Sequence, residues 1–283
     1  MTPGLGFALG AMLCFGASDL VYKRAAAAGI QPKHFAMLQA WVFLPGVTTY
    51  AWATGTLDPH ASALWGGLAG GFLLIAVTNF IASLKSGAVS TNAPIFRLNF
   101  TLTAALAILL LGEMLTLMKL AALACALVAV WLLLAEPGRA TSGRVDLRSL
   151  ARVLLATAAM AFANFCHKVG LTQGALPETM VAAQAWVFCS LATLNAFSSD
   201  RGYRAPARAW PYAASAAVLL IAGFMFMLDG LALGPASVLV PVTQMSFVFT
   251  ALLGALIFRE TLDGRKRIGL LIAAAALVLF AVS

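Results

Sequence analysis

The sequence predicts an all-α integral membrane protein of ten transmembrane helices, arranged as two inverted five-helix repeats. Three observations predict it: the chain is too apolar for water, its apolar runs number ten, and its second half restates the first. Of 283 residues, 62% are hydrophobic and only 10% charged, too little acid and base to cover a soluble globular surface. Runs of about 17 to 24 apolar residues are long enough to cross a bilayer as helices. They fall at 5–22, 34–53, 63–84, 89–111 and 117–135, then at 150–168, 178–198, 209–229, 235–258 and 267–283. None shows the short alternating pattern of a membrane barrel.

The repeat is legible residue by residue. Lys23, Gly29, Pro32 and the run Gln39-Ala40-Trp41-Val42-Phe43 return 145 positions later as Lys168, Gly174, Pro177 and Gln184-Ala185-Trp186-Val187-Phe188. Eight identities in 21 positions are far above chance. A second block returns at an offset of 147: Gly87, Ser90, Pro94, Phe100, Thr103, Glu113, Leu115 and Lys119 reappear as Gly234, Ser237, Pro241, Phe247, Thr250, Glu260, Leu262 and Lys266. A two-residue loop insertion accounts for the difference. The repeats are set at 1–137 and 150–283, joined by a Gly-, Ser- and Arg-containing linker at 138–149.

Charge gives the orientation. Of the eighteen Lys and Arg residues, fifteen fall in loops one, three, five, seven and nine. The even loops hold only Lys119 and Lys168, and Arg97 lies inside a span. By the positive-inside rule the odd loops are cytoplasmic and both termini are extracytoplasmic. Five helices separate equivalent points, an odd number, so the two halves have opposite orientations. The net charge of +8 is therefore loop charge that sets topology, and nucleic acid is not an expected partner. Cys14, Cys125, Cys166 and Cys189 all sit inside apolar spans without metal-ligand spacing, which makes them packing residues. The first span has no basic leader and no cleavage site, so it is expected to be retained. No nucleophile-base pair, metal constellation or nucleotide-binding loop is present, so neither an enzyme nor a cofactor is expected.

These features resemble the drug/metabolite transporter superfamily, specifically its ten-helix EamA-type exporters. The resemblance rests on Lys23 and Lys168 ending the first helix of each half, on Pro94 and Pro241 early in the fourth, and on the step after it. That step reads Gly112-Glu113-Met114-Leu115 and Arg259-Glu260-Thr261-Leu262, each before an apolar helix. It covers essentially the whole chain and implies two bundles of five helices around a central cavity in the cell inner membrane. It also implies transport of small organic solutes such as amino acids. For Glu113 and Glu260 it implies a structural role, capping the following helix or bridging to Lys119 and Lys266. Members commonly keep both termini in the cytoplasm, and the charge count here departs from that.

Duplicated carriers place their solute between the halves, and ionisable groups inside spans mark such places. Arg97 stands near the middle of the fourth span, three residues after Pro94, where its fork can hold a carboxylate or phosphate. The alternative is a structural pair with a buried acid or helix end. Its repeat equivalent is Gln244. Asp19 and Lys23 are four apart on one helical face, which fits an intrahelical pair or an acid that binds an amine or a proton. Their equivalents are Asn164 and Lys168, and His167, the equivalent of Tyr22, is a candidate proton relay. Gln39 and Trp41, with Gln184 and Trp186, form a symmetric polar and aromatic set. Residues two apart point about 200° apart on a helix, so Gln and Trp cannot both face the cavity. Asn79 is a further polar candidate, whereas Asn92 and Asn99 suit hydrogen bonds between helices.

The expectation is a secondary transporter for a zwitterionic or anionic metabolite, with protons as a candidate coupling ion, the bilayer as its surroundings and no obligate protein partner. Two rivals remain. A multidrug or quaternary-cation exporter needs a deep carboxylate that no neighbouring base neutralises. A channel or lipid-handling scaffold would work without alternating access.

Overall fold

The structure is a computed structural model that describes residues 2–84, 89–134, 147–199, 207–257 and 263–283. Lys85, the linker residues 138–146 and Arg259-Glu260-Thr261-Leu262 lie outside them. Every regular element among the described residues is helical. The first half forms α1 (Leu5–Ala27), α2 (Pro32–Ala53), α3 (Leu64–Ser83), α4 (Val89–Arg97), α5 (Asn99–Leu111) and α6 (Leu117–Leu134). The second half forms α7 (Leu147–Thr172), α8 (Pro177–Ser199), α9 (Trp210–Leu233), α10 (Ala236–Gln244), α11 (Ser246–Ile257) and α12 (Gly264–Val282).

The repeated residues make the repeated turns. Gly29 and Gly174, just beyond α1 and α7, have φ of 72° and 89°, left-handed values that cost a side chain and suit glycine. Pro32 and Pro177 are the first residues of α2 and α8, where a fixed φ helps and the missing N–H has no partner to lose.

The fourth span of each half departs from expectation. Each was expected as one helix, at 89–111 and 235–258, and each is two, broken at Leu98 and at Met245. Pro94 and Pro241 lie four residues before the breaks. A proline inside a helix deletes one hydrogen bond and crowds the preceding turn, so the helix tightens and stops. Leu98 N donates to Ile95 O at 3.0 Å, a three-residue step, and Met245 N donates to both Pro241 O and Val242 O at 3.1 Å. Side chains satisfy the carbonyls nearby: Asn99 Nδ2 donates to Phe96 O at 2.7 Å and Thr157 Oγ1 to Ile95 O at 3.1 Å.

Seven stretches among the described residues are long and apolar enough to cross a membrane: 5–27, 61–83, 91–111, 117–134, 147–172, 207–233 and 236–253. The expected spans on α2, α8 and α12 are not among them, although these helices run to 22, 23 and 19 residues. Glutamine, threonine and other polar residues dilute α2 and α8, and α12 opens on Arg265-Lys266-Arg267.

The two halves interleave, each packing mainly on the other. α1 packs on α9, α10 and α11; α3 packs on α7 and α8; α2 lies against α8 and α9; and α6 pairs with α12. Small residues permit this. A Cβ at Gly70 would stand 2.5 Å from Gln184 O, and one at Gly66 would strike Met180 O, so α3 and α8 touch backbone to backbone over one helical turn. Ala213 and Ala217, the equivalents of Gly66 and Gly70, are fully buried in α9. Gly16 brings α1 onto the start of α11, where a Cβ would stand only 2.9 Å from Ser246 O.

Candidate functional site

The interleaved helices enclose a cavity of about 560 Å³. Six of the residues singled out in the sequence line it: Asp19, Gln39, Arg97, His167, Gln184 and Gln244. They arrive from both halves, on α1, α2, α4, α7, α8 and α10.

Arg97 is the last residue of α4 and Gln244 the last of α10, so the broken helices present their C-terminal ends to each other. Arg97 Nη1 donates to Gln244 O at 3.3 Å and to Gln244 Oε1 at 3.2 Å. The final carbonyls of a helix lack partners and carry its negative pole, so a guanidinium there is favoured twice over. Its other terminal nitrogen, Nη2, lies 3.8 Å from Asp19 Oδ2. Asp19 on α1 therefore pairs with Arg97 on α4, in the same half, where the spacing in the sequence suggested Lys23. Gly16, one turn earlier on α1, lets that helix close on α11, and Thr250 Oγ1 comes within 3.2 Å of Asp19 Oδ2. The Arg97 guanidinium also stands 5.7 Å over the Phe247 ring.

Two repeat-equivalent pairs flank this centre. Tyr22 donates its hydroxyl to Gln39 Oε1 at 2.7 Å, and His167 Nε2 lies 2.6 Å from Gln184 Oε1. The ring of Phe224 meets Phe15 and Phe43 edge to face, with centroids at 5.4 and 5.9 Å, and lies 6.2 Å from His167. Aromatic edges thus form the apolar base of the cavity.

The other five singled-out residues stand apart from the cavity lining. Trp41 is 38% exposed and donates to Thr193 Oγ1 at 3.1 Å, and Trp186 is 55% exposed. The helical argument that only one of each Gln and Trp pair faces inward resolves in favour of the glutamines. Asn79 Nδ2 donates to Ile75 O in its own helix at 2.9 Å. Lys23 is exposed near the end of α1. Lys168 reaches the end of α9, donating to Leu231 O and Gly234 O at 2.7 Å each.

Beside Lys168, Glu113 takes a role that differs from the expected cap on the following helix. Its two oxygens accept from Ala236 N and Ser237 N at 2.7 and 2.9 Å, which caps α10 in the opposite half. Lys119 donates to Met114 O at 2.8 Å and to Ser237 Oγ at 3.3 Å. Asn92 ties α3 to α7 through Ser83 O, Ser83 Oγ and Ser149 Oγ at 3.1, 3.0 and 2.9 Å. Several residues at the site were not singled out as candidates. Tyr22 and Asn164 were visible only as the equivalents of His167 and Asp19, Thr250 only as the equivalent of Thr103, and Phe224 carries no signal among so many apolar neighbours.

Charges held at the meeting point of broken helices, around a central cavity, define a polytopic membrane protein of the solute-carrier class. The family model for EamA-like transporters matches residues 2–135 and 148–282, so the chain belongs to the EamA-like transporter family, within the drug/metabolite transporter superfamily. It is accordingly a multi-pass membrane transporter of small solutes. No curated protein matches its sequence. A solved crystal structure of a protein 15% identical to it has the same fold, with a TM-score of 0.83 over 99% of this chain and 96% of that one.

Proposed function

We propose that this transporter carries a zwitterionic or anionic metabolite, with an amino acid as first choice, by alternating access through the cavity described above. The observation that carries this reading is the Asp19–Arg97 pair at 3.8 Å, set where α4 and α10 end. A carboxylate on the solute meets Arg97, and an ammonium meets Asp19 and the negative helix ends. Each solute charge replaces part of what the ion pair gives its partner, so the site need not hold an uncompensated charge when empty. A quaternary cation would find Asp19 already neutralised.

Alternating access rests on ten spans in two inverted repeats, and equivalent contacts support that arrangement. Thr250 Oγ1 donates to Ser246 O and Gly16 O at 3.0 and 3.2 Å; its equivalent Thr103 donates to Asn99 O and Ala161 O at 2.9 and 3.4 Å. Asn99 and Ala161 are themselves the equivalents of Ser246 and Gly16. The Tyr22–Gln39 and His167–Gln184 bonds are a second such pair, and Arg97 meets its own equivalent, Gln244. Two halves related in this way can exchange geometries and open the site to each side in turn. Export is the direction that the resemblance gives. The inner membrane, extracytoplasmic termini and a self-sufficient monomer complete the proposal, with Asp19 and His167 as the groups available for proton coupling.

Counterflow of labelled amino acids into proteoliposomes tests it. Saturable flux in the parent that falls at least about tenfold in Arg97→Ala and in Asp19→Asn supports the reading. Unchanged flux in Arg97→Ala removes Arg97 from the site.

A further inference from the structure

We propose that the α7 wall of the cavity holds a second, uncharged subsite, formed by Asn164 and His167, that recognises a carboxamide on the solute. The inference rests on the reading of the cavity as an amino-acid site and adds which side chain that amino acid carries. Asn164 and His167 line the cavity one helical turn apart and are only 3% and 2% exposed. Yet Asn164 Nδ2 and His167 Nδ1 have no hydrogen-bond partner among the described residues. Buried polar atoms in native folds are nearly always bonded, so two bare ones on one face of one helix, in side chains that line a cavity but closed off from it in this conformation, point to a ligand that opens this wall as it binds.

Their chemistry is complementary. Gln184 Oε1, 2.6 Å from His167 Nε2, is an acceptor, so Nε2 carries the ring proton and Nδ1 is left as a bare acceptor. Asn164 Nδ2 is a donor. Residues three apart on a helix hold their side chains about 5–6 Å apart at Cβ, close enough for both to reach one small group. A carboxamide meets both, its carbonyl accepting from Asn164 and its N–H donating to His167. A carboxylate has no proton for His167, an ammonium has no acceptor for Asn164, and a hydrocarbon serves neither.

Comparison of the halves sharpens the point. The equivalents of Asn164 and His167 are Asp19 and Tyr22, and both have partners: Asp19 in Arg97, Tyr22 in Gln39. The first half thus supplies the charged pole and the second an unoccupied donor and acceptor. Phe224 holds the His167 ring edge-on at 6.2 Å, which keeps Nδ1 in a fixed direction.

The test is calorimetric binding of asparagine, glutamine, leucine and methionine to the purified full-length protein and to Asn164→Leu, Asn164→Ala, His167→Phe and Arg97→Ala. Leucine matches asparagine in shape and lacks its hydrogen bonds. The subsite predicts that the parent binds asparagine or glutamine at least about tenfold more tightly than its apolar counterpart. In the Asn164 and His167 variants that ratio falls towards one, an effect that general damage to the fold would not produce. An equal affinity of the parent for amide and hydrocarbon side chains, as a merely water-filled recess would give, overturns the subsite even where a variant fails to fold. So does a ratio that survives both substitutions. Arg97→Ala separates the two readings: if it binds every amino acid as the parent does, the ion-pair site fails, whereas loss of all binding there with no amide preference in the parent sinks the subsite alone. No binding of any of the four to the parent contradicts both.

Discussion

Arg97 ends one half-helix, faces the end of another and pairs with the carboxylate of a third element, so three features that are separate in sequence are joined by one side chain. Its importance was legible because a cation inside an apolar run has few reasons to be there. Its partner was not, because local spacing favours Lys23 as the mate of Asp19, whereas close packing of α1 on α11 at Gly16 brings Asp19 to the break in α4 instead. The glutamines show the same limit. Geometry ruled out Gln184 and Trp186 both facing inward, but only tertiary packing decides which of them does. Gln184→Leu leaves the His167 ring nitrogen without its acceptor, and thermal unfolding of the purified protein should show a loss of about 1–3 kcal/mol. Trp186→Leu, on the exposed face of α8, should keep flux within about twofold of the parent, and a larger loss would place the indole in the transport path.

At the scale of elements, prolines and glycines decide what the hydrophobic pattern leaves open. Hydropathy reads 89–111 as one span because a break of one residue does not change composition. Pro94 is visible in the sequence, yet the break at Leu98 is accompanied by Asn99 and Thr157 satisfying the nearby carbonyls, which only the structure shows. The glycines of α3 divide by what they face. Gly70 abuts the Gln184 carbonyl, while a Cβ added at Gly71 would meet nothing within 4 Å. Gly70→Leu should therefore force α3 from α8, displace Gln184 and lower stability by several kcal/mol, about 3 or more. Gly71→Ala should be neutral or stabilise by up to about 1 kcal/mol through helix propensity. Equal unfolding temperatures for the two variants would mean that the close approach of α3 and α8 is not structural. For Glu113 the resemblance implied a structural role, but its cap lies on α10, in the other half, which no reading of neighbours along the chain reveals.

Across the whole molecule, the apolar composition made the all-helical membrane architecture legible, and the interleaving of the halves was the part it concealed. Sequence duplication implies two like units, but not that each unit's main partners are in the other. Because α1 lies on α9, and α3 on α7 and α8, neither half has much of a core to itself. Residues 1–137 expressed alone should fail to give a monodisperse species, and co-expression with 138–283 should restore one. A stable isolated half would favour separate bundles. The central claim is that the Asp19–Arg97 centre is where the solute binds, and its most direct test is thermal stabilisation of the detergent-solubilised protein by amino acids, organic acids, sugar phosphates and quaternary amines, with Arg97→Ala measured alongside. The account predicts selective stabilisation of the parent by zwitterions or anions that disappears in Arg97→Ala; stabilisation by quaternary amines that persists in the variant would contradict it.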